Sequence, residues 1–457
     1  MKIGNGTAVM VAIVLLLGGC GTEPGRDAPT SSSSTPASAP AAGKGGDNPD
    51  DINGDGFADL VFSNRNQETP PDLTIVYGSK DGLNPQTRTV VTTADFGFDH
   101  VSNAGTADMD SDGFADVLIY GFPVGAYRGV LHLLWGGPKG VDPDARPTVI
   151  QPPFLEPNSS YAGVPGDFDG DGNGDLAMGV PRKGTSEEDL AVLYGPFTRE
   201  GAPRRHTTQP GPGDWPFSHL VAGRIDGRHA TSLLVHSGTD GGQMPSWLFE
   251  GGPDGLSRDA RELNAGNSSA FGDFDGDGAD DVVVADDGNR NGEPGYETEP
   301  PQVEGVMTVY FGGAGRAPQV FKNIRFAQSM VAGDYDGDGQ DDLAIDRGSD
   351  GVELFHGEAT GLRRDGKVIR RLGPYRDLTP EQRTQTPFDD PEELLDILNK
   401  TRPAGPWAAA DYDGDGRDEL ALAWFAPDLP AWEGSVRSLW WITDGSRDES
   451  TFDTDGW

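Results

Sequence analysis

The chain has 457 residues, including 67 Gly and 36 Pro, the two poorest helix formers, so it is not a mostly helical protein. Its 74 Asp and Glu against 35 Lys and Arg give a formal net charge of −39, which excludes the basic face that a nucleic-acid binder needs. The single Cys excludes an intrachain disulfide and a Cys-based zinc cluster, and the 35% apolar content suffices for a core only if the acids are concentrated in special places.

The first 19 residues carry Lys2 and then an uninterrupted apolar run, Val9–Leu17. That run is shorter than the roughly 20 residues of a membrane-spanning helix and suits the core of a signal peptide. The string Leu17-Gly18-Gly19-Cys20 resembles the bacterial lipobox. The resemblance implies that Cys20 carries a diacylglyceryl group and becomes the new N-terminus. The chain would then be anchored at the extracellular face of the cell membrane, for which two acyl chains are enough. Residues 20–50 are rich in Ser, Thr, Pro, Ala and Gly, including Ser31–Ser34, and read as a disordered tether.

From residue 51 onward one string recurs, D-x-D-x-D-G-x-x-D followed by at least three apolar residues. In chain order its acidic positions are Asp51, Asn53, Asp55 and Asp59; Asp108, Asp110, Asp112 and Asp116; and Asp167, Asp169, Asp171 and Asp175. A decayed fourth copy keeps Asp226 but has Arg224, Arg228 and Ser232 at the other places. Then come Asp273, Asp275, Asp277 and Asp281; Asp334, Asp336, Asp338 and Asp342; and Asp411, Asp413, Asp415 and Glu419. Each copy is followed by an apolar and aromatic run, mostly ending at Gly: Ile75–Gly78, Leu133–Gly137, Val192–Gly195, Trp247–Gly252, Val309–Gly313, Leu354–Gly357 and Leu439–Ile442. Short runs precede the acidic strings, as at Tyr161–Val164 and Ser329–Ala332, and others follow the second landmark, as at Arg88–Val91 and Pro147–Ile150. The unit is therefore strand, acidic loop, strand, loop, strand, Gly turn, strand. Seven such units in series fit an all-β, seven-bladed β-propeller over residues 51–457, with a linear β-solenoid as the rival.

Carboxylates crowded within nine residues repel one another unless a cation lies between them. Hard oxygen donors at positions 1, 3, 5 and 9, with Gly at position 6 for a sharp turn, suit Ca²⁺. The lack of Cys, and of His within the intact loops, disfavours zinc and copper. An EF-hand would need Glu at position 12, where the intact copies have Phe62, Ile119, Met178, Val284, Ile345 and Leu422. About six structural Ca²⁺ ions are expected. The fourth loop should hold none: either a guanidinium of Arg224 or Arg228 stands in for the ion by pairing with Asp226, or the loop has simply lost its metal.

The copies resemble FG-GAP repeats, the integrin-alpha type, and the related bacterial VCBS-type repeats. Gly121-Phe122-Pro123 and Gly179-Val180-Pro181 follow the second and third loops, and Phe271-Gly272 precedes the fifth. The resemblance covers residue 51 to about residue 450 and implies a seven-bladed, calcium-bound propeller.

Strand parity assigns the loops to faces. The acidic loops and the strand 3–4 turns share one end of the blades, while the strand 2–3 loops and the inter-blade connections share the other. Two long insertions, 285–304 and 373–406, fall on the second face. In the latter, Thr379-Pro-Glu-Gln382 reads as a helix start, and Asp390-Pro-Glu-Glu leads into an amphipathic helix with Leu394, Leu395, Ile397 and Leu398. Phe96, Phe98, Phe154 and Trp215 lie in inter-blade segments of that face and either pack between blades or serve a partner. The expected function is a calcium-stabilised surface lipoprotein that binds a protein or glycan ligand, in adhesion or as a scaffold, without contact to nucleic acid. The alternative is a secreted propeller enzyme, a polysaccharide lyase or hydrolase. Against it, the seven His (100, 132, 206, 219, 229, 236 and 356) are scattered, and no G-x-S-x-G or H-E-x-x-H string occurs.

Overall fold

A computed structural model describes residues 43–454 except 47, 65–71, 126–128, 156–162, 186, 214–215, 228–229, 239–241, 291–302, 314, 325–326, 375–390 and 427–437. The signal segment, Cys20, Trp215, Arg228, the Thr379–Gln382 string and most of the 285–304 insertion lie outside these residues.

The apolar run after each acidic loop is rich in Val, Ile and Leu and too short for a helix, so it extends as a strand. Blade one contains β1 (Leu60–Asn64), β2 (Asp72–Val76) and β3 (Arg88–Val91); blade two contains β4 (Phe98–Ala107), β5 (Asp116–Pro123), β6 (Val130–Leu134) and β7 (Thr148–Val149). Blade three has β8 (Gly163–Gly166), β9 (Asp175–Pro181), β10 (Glu188–Tyr194) and β11 (Arg205–Pro210). Blade four has β12 (Phe217–Gly223), β13 (Ser232–Ser237), β14 (Pro245–Phe249) and β15 (Arg261–Ala265). Blade five has β16 (Ser268–Gly272), β17 (Asp281–Ala285), β18 (Val306–Tyr310) and β19 (Gln319–Lys322). Blade six has β20 (Met330–Gly333), β21 (Asp342–Asp346), β22 (Val352–His356) and β23 (Arg363–Ile369). Blade seven has β24 (Gly405–Ala410), β25 (Glu419–Phe425), β26 (Ser438–Thr443) and β27 (Asp448–Asp453). Within each blade, consecutive strands pair antiparallel, as in Val283↔Val309 between β17 and β18. This is a seven-bladed β-propeller and not a solenoid.

The second strand of each blade is buried on both faces; all five residues of β17 are buried. The reason is visible in the core, where each of the seven blade interfaces carries one apolar cluster. Leu234 and Leu248 meet Val282 and Val284 between blades four and five, and Leu354 and Ile369 meet Leu422 and Trp424 between six and seven. Apart from the largely buried β3, the outer strands are more exposed, and β23 runs Arg363-Arg-Asp-Gly-Lys367 at its sheet edge, where charge deters further strand pairing.

Backbone hydrogen bonds close the ring at the loop face. The N–H at position 8 of each acidic loop donates to the position 1 carbonyl of the preceding blade. The distances are 3.0 Å for Ala115 to Asp51, 2.9 Å for Gly174 to Asp108, 2.6 Å for Thr231 to Asp167 and 3.0 Å for Asp280 to Arg224. They are 2.9 Å for Asp341 to Asp273, 3.0 Å for Asp418 to Asp334 and, closing the circle, 3.4 Å for Ala58 to Asp411. Among the described residues no strand is exchanged at the junction. Leu60 and Phe62 of blade one pack on Tyr412, Ala421 and Trp440 of blade seven.

Blade one departs from the expected four strands, having three among the described residues. The segment where its inner strand would lie reads Gly43-Lys-Gly-Gly-Asp-Asn-Pro49-Asp50, poor in every strand-forming residue and with a Pro that cannot donate to a ladder. Only Asp50 keeps the ladder contact, accepting from Asp59 N–H at 2.8 Å. Residues 43–46 instead lie across loops one and two, with Lys44 N–H donating to Gly54 O at 2.7 Å and Gly46 N–H to Gly113 O at 2.8 Å. The inner edge of β1 receives the Trp407 indole, which donates to Val61 O at 3.2 Å from a bulge in β24.

The expected amphipathic helix is present as α1 (Pro391–Lys400). Leu394 and Leu398 are buried against Trp424 and Val352, while Glu392 and Glu393 occupy its first turn and Lys400 its last, as the helix dipole favours. The aromatics of the inter-blade segments pack inward: Phe98 is buried beside Val101, Phe96 covers the same cluster, and Phe154 packs on that of blades two and three.

Candidate metal centres

The six intact loops share one hydrogen-bond pattern. The position 1 carboxylate accepts from the N–H groups of positions 5 and 6, for example Asp108 from Asp112 at 3.1 Å and from Gly113 at 2.8 Å, and Asp273 from Asp277 at 3.0 Å and Gly278 at 2.8 Å. The position 5 carboxylate accepts from position 7, as Asp338 does from Gln340 N–H at 3.0 Å. The position 9 carboxylate is driven beneath the loop and ties it to the end of the third strand. Asp116 accepts from Gly136 N–H at 2.8 Å and Met109 N–H at 3.0 Å, Asp281 from Gly312 N–H at 2.9 Å, and Glu419 from Tyr412 N–H at 2.9 Å.

Three further positions complete the loop, and sequence reading passed over them. Position 2 is a buried apolar anchor in every copy: Ile52, Met109, Phe168, Ile225, Phe274, Tyr335 and Tyr412. Position 4 has positive φ like position 6, which is why it is Gly54, Gly170, Gly276, Gly337 and Gly414; Ser111 adopts φ 62 in the second loop. Position 8 side chains link the blades, with Asp167 N–H donating to Thr231 Oγ1 at 3.0 Å, Asp273 N–H to Asp341 at 2.8 Å and Asp334 N–H to Asp418 at 3.0 Å.

With positions 1, 5 and 9 engaged in the frame, position 3 stands out. The side chains of Asp110, Asp169 and Asp275 are only 9%, 5% and 3% exposed, and one oxygen each of Asp110 and Asp275 has no hydrogen-bond partner. Asp281 Oδ2 and Asp342 Oδ2 are likewise buried without a partner. The expected ligands converge as Asp108, Asp110 and Asp116; Asp167, Asp169 and Asp175; Asp273, Asp275 and Asp277; and Asp411, Asp413, Asp415 and Glu419. In loop one Asp51, Asn53 and Asp59 are buried, with Asn53 Nδ2 donating to Asp55 at 3.1 Å. Burial first, and neighbouring carboxylates second to the opposing backbone bonds, push Asp116, Asp175, Asp281 and Glu419 up to about 8. Buried, crowded hard oxygens with unpaired acceptors are the donor set a divalent cation such as Ca²⁺ satisfies.

Guanidinium groups meet three of the intact loops. Arg199 pairs with Asp110 at 2.5 Å and Asp112 at 2.6 Å and lies 4.5 Å over the Trp135 ring. Arg205 pairs with Asp169 at 2.6 Å and Arg204 with Asp171 at 2.6 Å, with Arg205 3.4 Å over Tyr194. Arg316 pairs with Asp275 and sits 4.0 Å over Phe311. The aromatic that ends the third strand thus supports an arginine in loops two, three and five. In loop four, Arg224 donates its backbone N–H to Asp280 at 2.5 Å, and Arg228 lies outside the described residues.

Among the described residues, His236 lies between two serines, with Ser246 Oγ 2.8 Å from its Nδ1. His236 Nδ1 lies 2.9 Å from Gly266 O and Nε2 2.8 Å from Ser269 Oγ. Burial, and then His219, lowers His236 to about 3, far from the range a general base needs near neutral pH. It is a satisfied buried histidine.

Comparison with known proteins agrees with this geometry over part of the chain. Residues 51–119 match the family model of the FG-GAP-like repeat, a segment holding loops one and two. Among solved structures, the crystal structure of the V. cholerae biofilm matrix protein Bap1 is similar at 9% identity and a TM-score of 0.31, covering 83% of this chain and 86% of that one. No curated protein matches the chain.

Proposed function

Starting from a seven-bladed ring whose first two loops fall within an FG-GAP-like repeat, we propose that this protein is a calcium-stabilised surface lipoprotein. Its propeller binds a protein or glycan ligand, in adhesion or as a scaffold. Six Ca²⁺ ions would be held by the acidic positions of loops one, two, three, five, six and seven. There they would neutralise carboxylates that the frame leaves buried and crowded. Cys20 would carry the anchor, and residues 21–42 would span the gap to the ring.

The observation that carries this reading is a division between the two faces. The loop face is bonded into the blades through positions 1, 5, 8 and 9, so its acids serve the ring. The opposite face carries α1 and the connections in which the long insertions lie, and loops displayed on a rigid scaffold are the usual place for binding residues. The test uses the full chain with Cys20→Ala, which should leave the membrane fraction and enter the medium. That protein is then applied to immobilised surface polysaccharides and proteins. Calcium-dependent retention with no product formed is expected. Release of cleaved saccharide would replace this reading with the enzymatic one, and membrane association unchanged by Cys20→Ala would remove the anchor from it.

A further inference from the structure

We propose that loop six is a site for a borderline transition-metal dication of the Zn²⁺ class, completed by His356, in place of calcium. The inference rests on the reading that these loops hold metal and changes the ion for one of them. The third strand ends in Tyr77, Trp135, Tyr194 and Phe311 in blades one, two, three and five; in blade six the same place is His356. Its Nδ1 lies 3.4 Å from Asp342 Oδ1, and Asp336, Asp342 and His356 each offer a ligand atom within 4.8 Å of the others. Neighbouring ligand atoms around a tetrahedral zinc, bound at about 2.0–2.1 Å, stand roughly 3.3 Å apart.

A second observation points the same way. Asp342 is 2% exposed, and its Oδ2 is buried without a hydrogen-bond partner, while Oδ1 accepts from Gly357 N–H at 2.9 Å. On the far side of the imidazole, Nε2 lies 3.3 Å from Asp365 Oδ2. A carboxylate behind a histidine fixes the tautomer that leaves the other nitrogen free for a metal. The cavity in front of the ring has a volume of about 120 Å³ and is lined by Asp336, Asp342, His356, Lys367, Arg417 and Asp444. Lys367 and Arg417 offset part of the negative charge on which calcium affinity depends, whereas imidazole favours zinc, copper and nickel. Loops two, three and five have an arginine over an aromatic ring; loop six has an imidazole facing the carboxylates.

The test is a titration of the purified full-length protein with Zn²⁺, and with Co²⁺ as a visible-absorbing substitute, in millimolar calcium. One zinc-class equivalent is expected, with a Co²⁺ ligand-field spectrum of low coordination number. His356→Gln should abolish it, and Asp365→Asn, which leaves every ligand in place, should weaken it about 10–100-fold. A melt in calcium checks that both variants fold. No zinc-class equivalent in the wild type, or a His356→Gln titration equal to the wild type, overturns the proposal. The calcium count separates the two readings. Six calcium ions and no zinc leave the calcium reading standing without this inference; a His356-dependent zinc with no calcium bound does the reverse.

Discussion

Loops three and four are neighbours in the ring and share a frame but not its charges. In loop three the Asp175 carboxylate accepts from Gly195 N–H and from Phe168 N–H, each at 2.9 Å. In loop four Ser232 stands at that place, and its hydroxyl accepts from Gly251 N–H at 3.2 Å. Ile225 is buried as Phe168 is, and Gly227 holds φ 63 where Gly170 holds 71. Both loops keep their link in the ring: Gly174 N–H reaches Asp108 O, and Thr231 N–H reaches Asp167 O. A neutral hydroxyl therefore suffices at position 9 of the frame. The clustered carboxylates of the other six loops exceed what loop four keeps at position 9, and the proposed cations would account for the excess.

The largest effect that would break this comparison is metal removal. If free calcium is about 100 times Kd, each site adds roughly 2.7 kcal/mol to the folded state. A few such sites rival the roughly 5–15 kcal/mol by which a domain is stable. Melts in EDTA should fall below those in millimolar calcium by about 10 °C or more, with magnesium a poor rescue because it demands a smaller octahedral shell. Coincident curves would mean that the six loops are independent of metal.

A pH series sharpens the same contrast. In the metal-free protein Asp116, Asp175, Asp281 and Glu419 are raised to about 8 and Asp342 to about 7, by burial first. Carboxyls with raised folded values contribute stability that is full below their unfolded values near 4 and is lost as pH rises through 7 to 8. The melting temperature in EDTA should therefore fall from pH 5 to pH 8.5. In calcium it should rise over the lower part of that range, as protons cease to compete for the ligands. A parallel pH dependence in both media would show that no cation exchanges with these protons.

The ring and its loops were legible because they repeat. A nine-residue string with carboxylates at fixed places, then Val282-Val283-Val284 or Leu343-Ala344-Ile345, gives the turn and the buried strand together. What could not be read depends on spatial neighbours. Arg199 belongs to blade three but pairs with Asp110 and Asp112 of blade two, and Asp341 caps Asp273 across 68 residues of chain. His356 is 14 residues beyond Asp342 and meets it only because β21 and β22 form a hairpin. The inner strand that blade one lacks among the described residues had a local signal, the Gly, Asn and Pro of residues 43–50, but that composition reads equally as tether. Trp407, which bonds to the open edge, lies 346 residues away.

The finest test gives loop three the residue of loop four. Asp175→Ser preserves an acceptor for Gly195 N–H, as Ser232 does for Gly251, and removes a carboxylate crowded by Asp169 and Asp167. In calcium the variant should bind one ion fewer and lose roughly 2.7 kcal/mol, the linkage term of one site at 100 times Kd, on top of whatever it loses in EDTA. In EDTA that term is absent. In both media the Phe168 N–H loses its acceptor, a cost of about 1–3 kcal/mol for a buried donor, which in EDTA is offset by relief of the buried carboxyl. The destabilisation should thus be clearly larger in calcium than in EDTA, and the difference between the two media is the quantity to measure. Equal losses in both would mean that Asp175 serves only its two backbone bonds. The distinction between loops three and four would then be one of hydrogen bonding alone.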